Sequence, residues 1–410
     1  PTHPAKTNAK MVRIEPFHVE QWMDKHETKH NVLNVSETCV ASQSIDDLLQ
    51  LSDSKSSVAS VFSTSKKLTY GAILGSESLR SSVAGLYNTE AEIQLSPDNV
   101  LITPGAIFAN FLLYYTLIGP GDHVVCVYPT YQQLYSVPQS LGAEVSLWRL
   151  SKENCYAPNM EELADLVRTN TKMIVINNPN NPTGAPIPRE TLEQIVQYAR
   201  SRNIIVFSDE VYRPLFHSLE QNIKPPPSIL AMNYDKAITT GSMSKAWSLA
   251  GVRVGWVACR DKSIVDAMAA ARDYTTISVS QLDDQLATFA LSDSVRPGLL
   301  DRNMRLAHRN LCLLEDFVER HVNVCSWVKP QAGTTAFIQF FNQGNPVDDE
   351  KFCLDVIDTI NVMLVPGSKC FGNRGDGDFK GFVRLGYACD TAVLDEALKR
   401  LGGYIEHNLS

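Results

Sequence analysis

Gly241-Ser242-Met243-Ser244-Lys245-Ala246-Trp247-Ser248-Leu249-Ala250-Gly251-Val252-Arg253-Val254-Gly255-Trp256 is the stretch on which the fold turns. Lys245 sits among small and apolar residues, with Ser242 and Ser244 before it and Arg253 after it. Burial in such surroundings disfavours the ammonium form, so the expectation is a lysine deprotonated and nucleophilic near neutral pH. Two hydroxyls and a planar forked cation suit a phosphate group. The bland reading is a buried lysine next to a Gly-bounded turn, and short motifs do produce such matches by chance.

Working outward, the apolar run 237–240 delivers the chain to this stretch, and 254–258 reads as a strand leaving it. Earlier runs at 99–102, 123–127, 173–176 and 204–207 each end in a polar motif. These are Thr103-Pro104-Gly105-Ala106-Ile107, Tyr128-Pro129-Thr130-Tyr131, Asn177-Asn178-Pro179-Asn180-Asn181-Pro182-Thr183-Gly184 and Ser208-Asp209-Glu210-Val211-Tyr212. The first reads as strand, Gly turn and helix start, and free N–H groups at a helix N-terminus form a phosphate seat. The runs are continuous rather than alternating. Helices intervene at 77–88 (Leu79, Val83, Leu86 and Tyr87 on one face) and 191–200 (Leu192, Ile195, Val196 and Ala199 inward). That texture predicts a mainly parallel sheet covered on both faces, with its polar motifs at the C-terminal strand ends where ligands of such sheets bind.

Residues 1–30 read as a loose arm and a short helix. Beyond 285 the texture changes: a charge-dotted helix over 302–320, a strand pattern over 332–340, and further strand pieces at 365–368 and 382–387 predict a smaller α+β unit. Gly372-Asn373-Arg374-Gly375-Asp376-Gly377 reads as a surface turn, since no helix follows it as a phosphate loop requires. The expected division is 1–60 as arm and part of the small domain, 61–284 as the large domain, and 285–410 as the small one.

A chain of 410 residues exceeds what one simple core usually holds. A formal charge of -8 argues against nucleic acid or an anionic membrane as partner, since both select a basic face. The 9 cysteines form no C-x-x-C pair, which predicts reduced thiols and no metal site. Neither a secretory signal nor a membrane span is legible, so a cytoplasmic location is expected.

An amine able to condense with an aldehyde, beside a phosphate cradle, meets the requirement of pyridoxal 5'-phosphate. Taken together the motifs resemble the fold type I enzymes that use this cofactor, in particular the class I/II aminotransferase family, over about residues 65–390. The resemblance implies Lys245 as the Schiff-base lysine and the base that moves the α-proton. It implies Asp209 as partner of the pyridine nitrogen, Tyr212 and Asn181 as donors to the ring's phenolic oxygen, and Tyr131 as the aromatic stacked on the ring. Gly105, Ala106 and Ile107 would hold the phosphate with Ser242, Ser244 and Arg253. Tyr70 would reach the phosphate of a neighbouring subunit, which implies a homodimer. Arg384, in Val383-Arg384-Leu385-Gly386-Tyr387, would clamp the α-carboxylate of an amino-acid substrate, also touched by Asn181.

Local readings stand beside these. Asp209 alone could be a helix cap, Tyr131 a core tyrosine, and the Asn-Pro-Thr-Gly sequence a plain turn. One segment departs from the family. Where a Gly-x-Pro-like piece is common, this chain has Ser36-Glu37-Thr38-Cys39. Glu37 reads either as a group that orients the substrate or assists a leaving group, or as a solvated helix cap. The expected activity is therefore an aminotransferase, with a carbon–sulfur (β/γ-elimination) lyase of secondary metabolism, or an oxidase or cyclase, as the alternatives. A ligand-sensing half of a transcription regulator would need a basic winged-helix segment, and none is legible in 1–60.

Overall fold

The computed structural model describes residues 14–52, 57–88, 94–372 and 377–409. Its largest feature is a seven-stranded sheet built from β1 (Val100–Thr103), β2 (His123–Tyr128), β3 (Glu144–Arg149), β4 (Thr171–Asn177), β5 (Ile205–Asp209), β6 (Ala237–Ser242) and β7 (Gly255–Cys259), in the spatial order β1-β7-β6-β5-β4-β2-β3. All pairings are parallel except those of β7, which runs antiparallel to both β6 and β1.

Alternate residues of these strands enter two separate cores. Val125, Val127, Ile174, Ile176 and Val206 join one; Val124, Cys126, Met173, Val175 and Phe207 join the other, together with Leu112 and Leu113 of helix α2 (Ala106–Leu117). A pleated strand sends successive side chains to opposite faces, so a strand covered on both sides must be apolar throughout. That is why these runs carry no polar alternation. Each fully buried aliphatic side chain contributes about 1.5–3 kcal/mol.

Three local differences from the sequence reading have plain causes. Strand β3 has no counterpart among the expected runs: it is an edge strand whose residues are mostly half-exposed, so its pattern is mixed. In the helix Glu77–Asn88, Ala84 is buried and Leu86 only partly so. The long helix begins at Arg296 and runs to Arg320, with Pro297 in its first turn, where a missing N–H costs nothing.

A second, antiparallel sheet contains β8 (Cys325–Trp327), β9 (Thr335–Asn342), β10 (Asn345–Pro346), β11 (Val365–Pro366) and β12 (Phe382–Gly386), ordered β10-β9-β12-β11 with β8 against β9. The N-terminal segment returns to this part of the chain, since Leu33–Asn34 pairs in parallel with Val362–Met363. Of the glycine-rich turn near 372–377, Asn373 to Asp376 lie outside the described residues. No helix among the described residues is long and apolar enough to cross a membrane.

Candidate active site

The C-terminal ends of β4, β5 and β6 open on a cavity of about 680 Å³. Its lining includes Lys245, Asp209, Tyr212, Tyr131, Asn181, Ala106, Ile107, Ser242, Ser244, Arg253, Arg384 and Glu37. Every sequence-expected site residue except Gly105 and Tyr70 is therefore on its wall. Gly105 stands behind that wall as the N-cap of α2, with φ 82°, and a Cβ there would lie 2.8 Å from Arg253 Nη2. Tyr70 is 79% exposed and does not reach the cavity of its own chain.

At one end of the cavity, Ser244 N–H donates to Ser242 Oγ at 3.0 Å, and the two hydroxyls are 2.8 Å apart. Arg253 Nη1 donates to Ser244 Oγ at 3.4 Å. These groups meet the first turn of α2, whose leading N–H groups have no partner within the helix. Close approach is what the glycines allow: a Cβ on Gly255 would sit 2.4 Å from Ala106 N. Hydroxyls, a guanidinium and a helix N-terminus together make a site for a phosphate.

Asp209, the last residue of β5, is buried at the cavity floor. Burial pushes its carboxyl up to about 6, against hydrogen bonds from Asn110 (2.9 Å) and Val211 N–H (3.2 Å) and the nearby Lys245 charge. It remains largely ionised at neutral pH. Asn110 is fixed in turn by Thr240, whose hydroxyl donates to its Oδ1 at 2.8 Å. Tyr131 donates to Glu20 Oε1 at 2.8 Å and packs against Phe17, with ring centroids 4.8 Å apart.

Lys245 Nζ donates to Thr38 Oγ1 at 2.6 Å and to Cys39 Sγ at 3.5 Å, and lies 3.8 Å from Glu37 Oε1. Burial, which the sequence reading expected to neutralise the lysine, meets an opposing carboxylate here. Burial opposes its charge, while Cys39, Tyr212 and Glu37 favour it when they are ionised, and at neutral pH only the Glu37 carboxylate stands against burial. Cys39, raised to about 11 chiefly by burial, is a neutral thiol at pH 7, and Tyr212 is raised as well. Glu37 is the anion: burial opposes its charge, yet Lys245 and the Thr38 N–H bring its carboxyl below the usual value.

Glu37 is not a helix cap. It lies in a loop, where Oε1 accepts from the N–H groups of Thr38 (2.6 Å) and Cys39 (3.2 Å), and its side chain is 46% exposed. The loop can pass so close to β12 because residue 386 is glycine: a Cβ there would be 1.8 Å from the Glu37 carbonyl oxygen.

Arg384, on β12, is only 3% exposed. Its Nη1 donates to Asn181 Oδ1 at 3.3 Å and its Nη2 to the Ser36 carbonyl at 2.9 Å, while Nε is buried without a partner. An orphaned donor on a buried cation fits the carboxylate of a ligand. The set as a whole fits pyridoxal 5'-phosphate: an amine for its aldehyde, a buried carboxylate for a ring nitrogen, and a phosphate seat.

The sequence reading missed Asn110, Thr38, Cys39 and the acidic residues of helix α1 (His18–His26). Asn110 could have been found as a polar residue within the otherwise apolar helix 106–117. Nothing local marks the others.

The fold and this cavity define a class. The chain belongs to the family of class I and II aminotransferases, whose model matches residues 33–401. These enzymes depend on pyridoxal 5'-phosphate, and the mainly parallel large sheet is their fold type I architecture. Among particular proteins, the chain is 30% identical to the aspartate aminotransferase of Thermotoga maritima over 339 residues, covering 80% of this chain and 81% of that one. It is 28% identical to the capreomycidine synthase of Streptomyces vinaceus over 330 residues, 80% and 78% of the two chains. The crystal structure of a PLP-dependent aminotransferase from Streptococcus suis superposes with a TM-score of 0.86 at 37% identity, covering 97% of this chain and 99% of that one.

Proposed function

We propose that the cavity is the active site of an aminotransferase acting at Cα of an α-amino acid, with Lys245 as the base, Asp209 as the partner of the ring nitrogen and Arg384 as the carboxylate clamp. The observation that carries the reading is one cavity lined by an amine, a buried carboxylate and an arginine with a free buried N–H. The cofactor, when bound, supplies an electron-accepting ring that makes the substrate α-proton acidic. Lys245 Nζ is placed to take and return that proton, with Thr38 Oγ1, Cys39 Sγ and the Glu37 carboxylate around it. Arg384 orients the substrate through its carboxylate, and Asn181 holds the guanidinium. Ser242, Ser244, Arg253 and the N–H groups of Ala106 and Ile107, with Gly105 giving them room, hold the phosphate. Tyr212 and Asn181 serve the ring oxygen, and Tyr131 the ring face.

We propose a homodimer in which Tyr70 serves the neighbouring site. Tyr70, Leu68 and Ile73 are exposed apolar residues, as are Phe111 and Tyr115, stacked on one another on α2, and a partner subunit would cover them. Light scattering tests it. The expected division into domains is also kept as a proposal, with one shift. Residue 284 lies inside the helix Gln281–Ala290, whose Asp284 accepts from Ser76 N–H at 2.9 Å, and a boundary just after this helix, at 291–295, is the form of the proposal this supports. A cytoplasmic location is retained on the same footing.

A second reading has specific support. The capreomycidine synthase is a relative named for a synthase reaction, and Glu37 stands 3.8 Å from Lys245 Nζ, where it can receive or return a proton. Elimination of a leaving group, as in a carbon–sulfur lyase, or ring closure would use that second group. One experiment separates the readings. Holoenzyme is mixed with amino acids with and without a keto-acid acceptor. Keto product limited to one equivalent per site without the acceptor, and continuing only with it, supports transamination; multiple turnovers without the acceptor, releasing ammonia and keto acid or a cyclised amino acid, support the second reading. Lys245→Ala protein should carry no borohydride-fixed cofactor by mass spectrometry, and retention of that adduct removes the assignment of Lys245.

A further inference from the structure

Helix α1 buries Val19, Trp22, Met23 and His26, and Val19 and Met23 reach the cavity wall together with acidic residues beside them on the helix. Glu20 and Asp24 stand one turn apart, Glu27 continues the row at the helix end, and all three line the cavity together with Glu37. Glu20 is engaged by the Tyr131 hydroxyl. Among the described residues, the carboxylates of Asp24 and Glu27 have no hydrogen-bond or ion-pair partner. The carboxylates also sense one another: burial, then Glu37, Asp24 and Glu20, push the Glu27 carboxyl above its ordinary value.

The cations of the same cavity are committed elsewhere. Lys245 faces Glu37, Arg253 faces Ser244, and Arg384 faces Asn181 and the Ser36 carbonyl. Arg384 supplies the independent sign of a ligand, because its buried Nε has no partner among the described residues and the residue lies on this cavity's wall. A ligand that satisfies it brings an anionic group to Arg384. A ligand that also relieves the row on α1 must carry positive charge at its far end.

We infer that the amino acid taken by this site has a cationic side chain, an ammonium or guanidinium, whose charge lies against Asp24 and Glu27 on helix α1. This rests on the reading of the cavity as an amino-acid site. A side-chain carboxylate such as that of aspartate would instead meet a row of like charges, so this chain differs in specificity from the aspartate aminotransferases it is similar to.

The test titrates holoenzyme with matched amino acids and follows the visible absorption of the cofactor. L-Arginine is paired with the near-isosteric neutral L-citrulline, L-lysine with L-norleucine, and L-aspartate is the anionic control. The cationic member of each pair should bind about tenfold tighter at low salt, with the gap narrowing as salt screens the exposed carboxylates. In the Asp24→Asn/Glu27→Gln double variant the ratio should fall towards one. Equal affinities within the pairs, tighter binding of L-aspartate, or a ratio unchanged in the double variant would each overturn the inference while leaving the amino-acid site intact. A holoenzyme whose absorption none of the five amino acids perturbs would overturn the underlying reading along with it.

Discussion

Asn110 Nδ2 lies 2.9 Å from Asp209 Oδ2, and the Thr240 hydroxyl fixes the amide by donating to its Oδ1 at 2.8 Å. Three secondary-structure elements, α2, β5 and β6, thus converge on one carboxylate. Burial has raised that carboxyl to about 6, and the Asn110 bond is the leading influence that keeps it from rising further. The bond therefore governs whether the carboxylate is ionised near neutral pH, which its proposed role opposite a ring nitrogen requires.

Replacement of Asn110 by Ala should move the acid limb of cofactor binding to higher pH. It should also cost about 1–3 kcal/mol of stability, the usual range for orphaning a buried polar partner. Cofactor affinity measured across pH checks the first, and urea unfolding the second. An unmoved acid limb would show that Asn110 only fills space.

Asp209 gives a stability prediction with a definite sign. Its folded pKa is raised from 3.8 to about 6 by burial, so its contribution to stability is fully present below the unfolded value and is lost as pH rises through 6. A shift of that size corresponds to about 3 kcal/mol. Without cofactor, Asp209→Asn should therefore be more stable than the parent at pH 8 by up to about 3 kcal/mol, and nearly equal to it at pH 4. Urea melts of the cofactor-free proteins at the two pH values decide the matter; a gap of the same size at both would contradict it.

Glu37 is the anion beside Lys245, so Glu37→Gln should let the lysine lose its proton at lower pH. The pH at which added cofactor reacts with the protein should then shift downward. Turnover should fall by about 100-fold, the scale of a lost proton-transfer partner. If turnover stays within twofold, the carboxylate does no more than tie the N–H groups of Thr38 and Cys39.

Arg384→Lys keeps the charge but gives up the planar fork. With Asn181 and the Ser36 carbonyl already using both terminal nitrogens, a point charge cannot present the same planar set of donors to the carboxylate that Arg384 is proposed to hold. Substrate KM should rise about 100-fold, equivalent to about 3 kcal/mol. Steady-state kinetics with a single amino acid over a wide concentration range measures it.

The sequence by itself determined the sheet and the chemistry that hangs from it. Continuous apolar runs ending in Gly105, Tyr131, Asn181, Asp209 and Lys245 are legible because a doubly covered strand must be apolar along its length and its polar ends are short and local. It also carried Arg384, since an arginine between Val383 and Leu385 in a strand is conspicuous. The antiparallel direction of β7, the half-exposed β3 and the start of the long helix escaped it, because pairing direction and edge position leave little trace in the local residues.

Only the tertiary structure decided the surroundings of Lys245 and the acidic wall of the cavity. Thr38, Cys39 and Glu37 lie more than two hundred positions before Lys245, and Gly386 brings them there by removing a Cβ from the path of the loop. Likewise Glu20, Asp24 and Glu27 read along the chain as the solvated side of a short helix. Folding of α1 against the body places that side, still exposed, on the wall of the cavity. Electrostatic energy depends on distance in space, and these distances are set by packing between segments far apart in the chain.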